Sequence, residues 1–308
     1  MTVGPVSPVV PQPSQRRSES LLGVMLMAGG MFVFSAVDTQ AKFLTQTLDP
    51  IQIVWSRQLG LLLGVVVLLL IRGTSVLQTQ QPILQLTRGG LAAGSALLFI
   101  IAVSYVPLAD AVAVSFIAPF VVTVLGALVL RERVGIRRWT AVTIGFIGSM
   151  IIIRPGMGAL HPAVMLVVIA AILFALRQII SRALADTDRT STTVAYTALV
   201  GSFLLSLPLP FVWQWPTSTT ELVLLTSIAI MAAGAEILVI KALEVAQAVV
   251  IAPVHYSLII WGTAYGYFVF GQFPDIWTWV GAIIIIASGL YTLQRDAKVG
   301  RSKEIPDG

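Results

Sequence analysis

From Leu21 to Leu293 the chain is a succession of apolar blocks separated by short polar breaks. A helix needs roughly 20 mostly apolar residues to cross about 30 Å of hydrocarbon, where every backbone N–H and C=O must be satisfied within the segment. The 308 residues have room for about ten such helices and little else. Only 11% of the residues are charged, against roughly a quarter in soluble domains, and 57% are hydrophobic. This excludes a soluble enzyme, a disordered protein and a nucleic-acid binder. The net charge of +5 is instead distributed as a membrane topology would distribute it.

The chain has no cysteine, so disulfides, thiolate metal sites and cysteine nucleophiles are excluded. Its two histidines, His161 and His255, are too far apart in sequence to suggest a zinc site. No metal, cofactor or catalytic residue is expected.

The fold class expected is an all-α integral membrane protein of ten transmembrane helices. The predicted spans are 21–44, 50–71, 88–106, 109–130, 136–153, 161–181, 191–213, 220–242, 247–270 and 275–293. The breaks fall at turn signals such as Asp49-Pro50, Gly73-Thr74-Ser75, Pro107, Trp215-Pro216 and Phe273-Pro274. Residues 1–20, rich in proline and polar side chains, are expected to be a disordered tail, and 294–308 a charged one. With the N-terminus in the cytoplasm, Arg72, Arg88, Arg131, Arg133, Arg137, Arg138, Arg177, Arg182, Arg189, Lys241 and Arg295 fall at inner ends. Only Lys42 and Arg154 fall at outer ends, so both termini are expected to be cytoplasmic.

The two halves partly match each other. At one constant shift Phe34-Ser35 falls on Phe174-Ala175, Lys42 on Arg182 and Trp139 on Trp279. After a short gap, Ala109-Asp110-Ala111 falls on Ala246-Gln247-Ala248. Two halves of five helices follow, 21–154 and 161–293. Five is odd, so the second half is inverted relative to the first, as in carriers whose substrate site lies at the midplane between repeats.

The stretch Pro107-Leu108-Ala109-Asp110-Ala111, then Pro119, Arg131-Glu132-Arg133, Trp139 and Arg154-Pro155, resembles the drug/metabolite transporter superfamily, EamA type. The resemblance covers about residues 20–294. The stretch from Asp38 to Lys42, with Trp55-Ser56-Arg57, is similar to the branch holding riboflavin and S-adenosylmethionine importers. Gln272 departs from the pattern, which has an acidic residue there. The resemblance implies a secondary carrier of a small organic metabolite in the bacterial cytoplasmic (inner) membrane, surrounded by lipid and working as a monomer or homodimer. Protons or another ion would be its coupling partner.

Ionisable residues within a bilayer are costly unless paired, and so mark candidate sites. Asp38 on helix 1 and Arg57 on helix 2 lie at similar depth, which makes an ion pair available, with Lys42 one turn from Asp38 as competitor. That pair serves either as a gate or substrate anchor, or as structural packing. Glu236 and Arg177 are the inner counterpart in the second half, with Glu236 the candidate proton carrier and Lys241 its alternative partner. On a helical wheel, helix 9 carries Tyr256, Ser257, Trp261, Thr263, Tyr265, Tyr267 and Phe268 on one half; the deeper Tyr256 and Trp261 suit a ring-bearing ligand, and Tyr265 to Phe268 serve either that ligand or a lipid-interface belt. His255 falls on the other half with Gly262 and Gly266, where it is expected to pack between helices. In helix 4, Ser115 and Pro119 mark a kink or a cavity wall, and Asp110 is expected near the outer surface at little cost. A membrane enzyme of lipid metabolism would need clustered acids or histidines near one interface, and a receptor a soluble sensing domain; neither pattern is present.

Overall fold

The structure is a computed structural model that describes residues 13–129, 135–154, 161–185, 187–246 and 251–303. The helices are α1 (Pro13–Leu44), α2 (Pro50–Arg72), α3 (Pro82–Val103), α4 (Leu108–Ser115), α5 (Ala118–Leu128), α6 (Ile136–Ile153), α7 (Val164–Leu184), α8 (Thr190–Ser206), the single turn α9 (Leu209–Val212), α10 (Thr219–Val245), α11 (Ser257–Phe270) and α12 (Ile276–Lys303). Two 3₁₀ segments, Gly73–Leu77 and Ala252–Tyr256, follow α2 and precede α11. Among the described residues six helices are long and apolar enough to cross a membrane, and shorter apolar helices run from Trp139 to Ile153 and from Ile276 to Tyr291. Large apolar side chains such as Leu70, Phe211 and Phe268 face outward around the bundle, where acyl chains would cover them.

Local chemistry sets several ends. Asp49 caps α2 by accepting from the Ile51 N–H at 2.8 Å, with Pro50 in the first turn, where no N–H is needed. Ser218 accepts from the Glu221 N–H at 3.2 Å, and the Glu221 carboxylate reaches back to the Thr217 N–H at 2.7 Å. The first helix starts at Pro13 instead of Leu21, because no glycine or proline interrupts the chain between Pro13 and Gly23. Likewise α12 continues to Lys303, through part of the expected charged tail. The Arg131-Glu132-Arg133 run and Gln247-Ala248 lie outside the described residues.

The packing keeps its pattern when the halves are exchanged. Helix α1 packs on α10 as α7 packs on α3, α2 on α10 as α8 on α3, and α1 on α11 as α7 on α5. The pairs α2–α8 and α6–α12 map onto themselves, as does the contact of the fourth span with the ninth, made here by α4 on α11. Close crossings rest on glycine: a Cβ on Gly60 would fall on the Ala229 backbone carbonyl, and Gly148 and Gly281 face each other where α6 crosses α12.

One end of the bundle, here the Lys42 end, carries the α1–α2, α3–α4 and α11–α12 links. At this end Arg154 terminates α6 in the left-handed region, φ 45°, its N–H bonded to Met150 O at 2.9 Å. Its guanidinium pairs with Asp275, which also accepts from the Thr278 N–H at 2.8 Å at the start of α12. Asp275→Ala removes both supports and is expected to lower stability by about 1–2 kcal/mol, the scale of a lost cap. Arg154→Gly in that background restores part of the loss, because glycine takes φ > 0 without a Cβ penalty. Thermal unfolding in detergent measures both.

At the opposite end Asp188, in the α7–α8 link, accepts from Thr79 Oγ1, from Gln85 Nε2 at 2.7 Å and from the Gln80 N–H at 3.3 Å. Burial pulls this carboxyl upward, but the three bonds outweigh it and hold it below its ordinary 3.8. A carboxylate with a depressed folded value stabilises above its unfolded value and loses that contribution as pH falls through the folded one. Melting temperature is therefore expected to drop below about pH 4, and Asp188→Asn to remove that part of the drop.

Candidate functional site

Five helices, α1, α2, α3, α7 and α10, bring charged residues together inside the bundle. Asp38 Oδ1 accepts from Arg57 Nη1 at 3.1 Å, and the Arg57 guanidinium stands 5.5 Å from the Phe34 ring centroid. Asp38 is buried, while the Arg57 side chain keeps 22% of its surface exposed, so the pair is sheltered but reachable. In the other half, Arg177 lies 4.6 Å over the Phe174 ring and within electrostatic reach of both Glu236 and Arg57. Each arginine thus rests on a phenylalanine that the internal repeat aligns with the other. Arg177 and Glu236 are neighbours but do not form an ion pair at 4 Å among the described residues. Lys241 pairs instead with Glu244, one helical turn further along an exposed face.

Arg88 joins the cluster, within electrostatic reach of Arg177 and Glu236. It donates to Ser181 Oγ at 2.7 Å and to Thr197 Oγ1. The sequence reading placed Arg88 at the start of helix 3. The helix begins at Pro82, which sets Arg88 more than a turn inside. Pro82, a favoured first-turn residue, was the available signal. Three cations thus meet two acids. Ser35 Oγ, one turn from Asp38 on α1, and Arg177 Nε are buried without a hydrogen-bond partner. Unsatisfied buried polar atoms are rare and costly unless something supplies a partner.

Lys42 does not compete for Asp38. Its ammonium donates to Val106 O at 2.7 Å and Gln272 Oε1 at 3.0 Å, because the unwound α3–α4 link presents carbonyls one turn nearer the end of the bundle. Asp110 is 6% exposed instead of lying at the surface, and Thr278 Oγ1 donates to it at 2.8 Å. The α11–α12 link and α12 fold over it, an approach that the local sequence does not encode.

Two helices are broken in corresponding places. The fourth span divides into α4 and α5 at Phe116-Ile117, with Pro119 in the first turn of α5 and Ser115 Oγ bonded to Val112 O at 2.6 Å. In the ninth, the 3₁₀ turn Ala252–Tyr256 leads into α11. Phe116 and Tyr256, at the two breaks, stack with centroids 5.0 Å apart. The shared signal is Ile117-Ala118-Pro119 and Ile251-Ala252-Pro253, a recurrence that the single shift of the halves passes over.

The 3₁₀ turn also corrects the wheel of helix 9. A 3₁₀ turn advances about 120° per residue instead of 100°, so residues on either side of it no longer share the predicted faces. His255 is exposed instead of packed between helices. Gly262, Thr263 and Gly266 face inward, Gly262 beside Val112 and Ser35. Tyr267 and Phe268 point outward, and Trp261 packs against Phe32 at 5.0 Å beside Tyr265 with its Nε1 buried and unpartnered. Of the aromatic half, Tyr256 meets the first repeat at Phe116, and Trp261 and Tyr265 meet it at Phe32 of α1.

The site therefore offers cations, aromatic faces and open hydrogen-bonding atoms between two pseudo-symmetric halves. A solved structure of 17% identity superposes with a TM-score of 0.59, covering 94% of this chain and 100% of that one, and shares the fold. Similar to this chain are the riboflavin transporter of Vibrio cholerae, 35% identical over 73% of this chain and 76% of its own, and the S-adenosylmethionine uptake transporter of Rickettsia prowazekii, 25% identical over 92% and 96%. The sequence pattern of the EamA-like transporter family matches twice, over residues 21–154 and 161–293. This multi-pass membrane chain belongs to the EamA-like transporter family.

Proposed function

We propose that the chain is a secondary carrier that imports a small ring-bearing metabolite of the riboflavin type by alternating access, through a site at the centre of the bundle. The observation that carries this reading is the charge of the central cluster: Arg57, Arg88 and Arg177 against Asp38 and Glu236. Opposite charges attract strongly where water is scarce, so an excess of cation repels a sulfonium such as S-adenosylmethionine. It favours instead an uncharged or anionic ring with carbonyl acceptors. Arg57 on Phe34 and Arg177 on Phe174 supply donors beside aromatic faces, and Ser35 supplies an unspent hydroxyl.

Each half contributes an arginine, so rocking one half against the other changes what both arginines face, as alternating access requires. The broken α4–α5 span and the 3₁₀ turn before α11 are the places where the backbone can bend. In this reading both termini lie in the cytoplasm of a bacterium, and Glu236, half-buried beside two arginines, carries the coupling proton.

A ligand that binds only the folded protein stabilises it by about 2.7 kcal/mol at a hundred times its dissociation constant. Riboflavin is expected to raise the melting temperature of the detergent-purified protein, and S-adenosylmethionine to leave it unchanged. The reverse result would overturn the charge argument and favour the sulfonium substrate.

A further inference from the structure

A polar cavity lies at the Lys42 end, one helical turn beyond Asp38. It is a cleft of 390 Å³ lined by Lys42, Thr45 and Gln46 of α1 and its link, Ser104 to Pro107 of the α3–α4 link, Phe270 at the end of α11 and Gln272 just beyond it. Its walls come from both halves of the protein. Lys42 is 7% exposed, so its charge is largely removed from water. The ammonium is met by two neutral acceptors, Val106 O and Gln272 Oε1, and by the Phe270 ring at 5.2 Å. Among the described residues no carboxylate lies within ion-pair distance; Asp110 acts on it only from further off. An ammonium has three donors, and two are assigned here.

We propose that this cleft is a binding subsite for a small organic anion, whose carboxylate or other oxyanion takes the remaining Lys42 donor while its apolar body lies against Phe270 and Tyr105. Buried cations are normally paired, and here no carboxylate among the described residues completes the pair. Thr45, Gln46 and Ser104 add hydroxyl and amide groups around the position of the head group. The polar lining comes from links at the end of the bundle, so the ligand arrives from water. The subsite stands on the cleft alone; only its use as an entry station for the central cluster rests on the transporter reading.

The absence of native cysteine makes a local reporter possible. Gln46→Cys, on the exposed rim, takes a single environment-sensitive fluorophore. The labelled full chain is titrated with benzoate and with its uncharged analogue benzamide, in neutral maltoside detergent without added lipid. The expected result is a response to benzoate at a concentration at least about tenfold below that for benzamide, the weight of one charge-assisted hydrogen bond. Lys42→Gln removes the preference. Gln272→Glu, nearly isosteric and therefore a safeguard against misfolding, also removes it by pairing Lys42 internally. Arg57→Gln, which addresses the central cluster, keeps it, so loss of transport and loss of the subsite are read separately. Equal responses to the two probes, or a benzoate preference that survives in both Lys42→Gln and Gln272→Glu, would overturn the proposal.

Discussion

Replacing Arg57 with alanine is expected to reduce transport by about a hundredfold or more in kcat/KM, the scale of losing a charge-assisted hydrogen bond to the substrate. The same change strands Asp38, which is buried and has Arg57 as its ion-pair partner. Removing one member of a sheltered pair destabilises, because the remaining charge has lost its compensation. Melting temperature should therefore fall in Arg57→Ala and recover in the double variant with Asp38→Ala, where no unpaired charge remains. Transport should not recover, since the donor that faces the substrate is still missing. A double variant that regains transport together with stability would make the pair structural and remove Arg57 from the binding site.

The second large effect concerns packing. Helix α2 crosses α10 with Gly60 against the backbone of Ala229, so that any Cβ meets a carbonyl group and not a flexible side chain. Overpacking ordinarily costs about 1–3 kcal/mol because side chains can shift. Here the helix axes themselves must part, and Arg57 sits one turn away on the same helix. Gly60→Val is expected to cost about 3 kcal/mol or more, at the upper end of that range. That corresponds to a fall of roughly 10 °C in melting temperature for a chain of this size. By contrast, Gly64→Val on the same helix, where no atom lies near the added Cβ, is expected to be close to neutral. Thermal unfolding of the two variants side by side separates a packing effect from a propensity effect.

Much of the fold is legible in the sequence because the bilayer imposes it. Apolar length fixes the spans, and the signals Asp49-Pro50 and Ser218 with Glu221 fix where two of them begin. The Asp38–Arg57 contact follows from depth alone, since two helices joined by a short turn must bring equal depths together. What stays hidden is whatever depends on backbone departing from a regular helix. Arg88 was read as lying at a helix end because the boundary was set by the apolar block instead of by Pro82. His255 parted from Gly262 and Gly266, with which the wheel grouped it, because the wheel assumes one constant angle through a segment that contains a 3₁₀ turn. Lys42 and Asp110 find Gln272 and Thr278 across the chain. Those partners come from the packing of the α11–α12 link, which local periodicity does not carry.

The unpartnered atoms follow the same logic. Ser35 looks unremarkable in an apolar block, and only the burial of its hydroxyl without a partner gives it meaning. Phe34 and Phe174 were visible as an aligned pair in the repeat, but the arginine over each ring appears only when the helices are packed.

The most direct test of the central claim is counterflow in proteoliposomes. Vesicles containing the purified chain are loaded with unlabelled riboflavin and diluted into labelled riboflavin, and the transient accumulation of label is followed for the native protein and for Arg57→Ala. Accumulation that depends on the internal load, is absent with S-adenosylmethionine and is lost in Arg57→Ala is the predicted result. Riboflavin accumulation that persists undiminished in Arg57→Ala, or load-driven exchange of S-adenosylmethionine in place of riboflavin, would contradict a substrate site built on the cationic centre of the bundle.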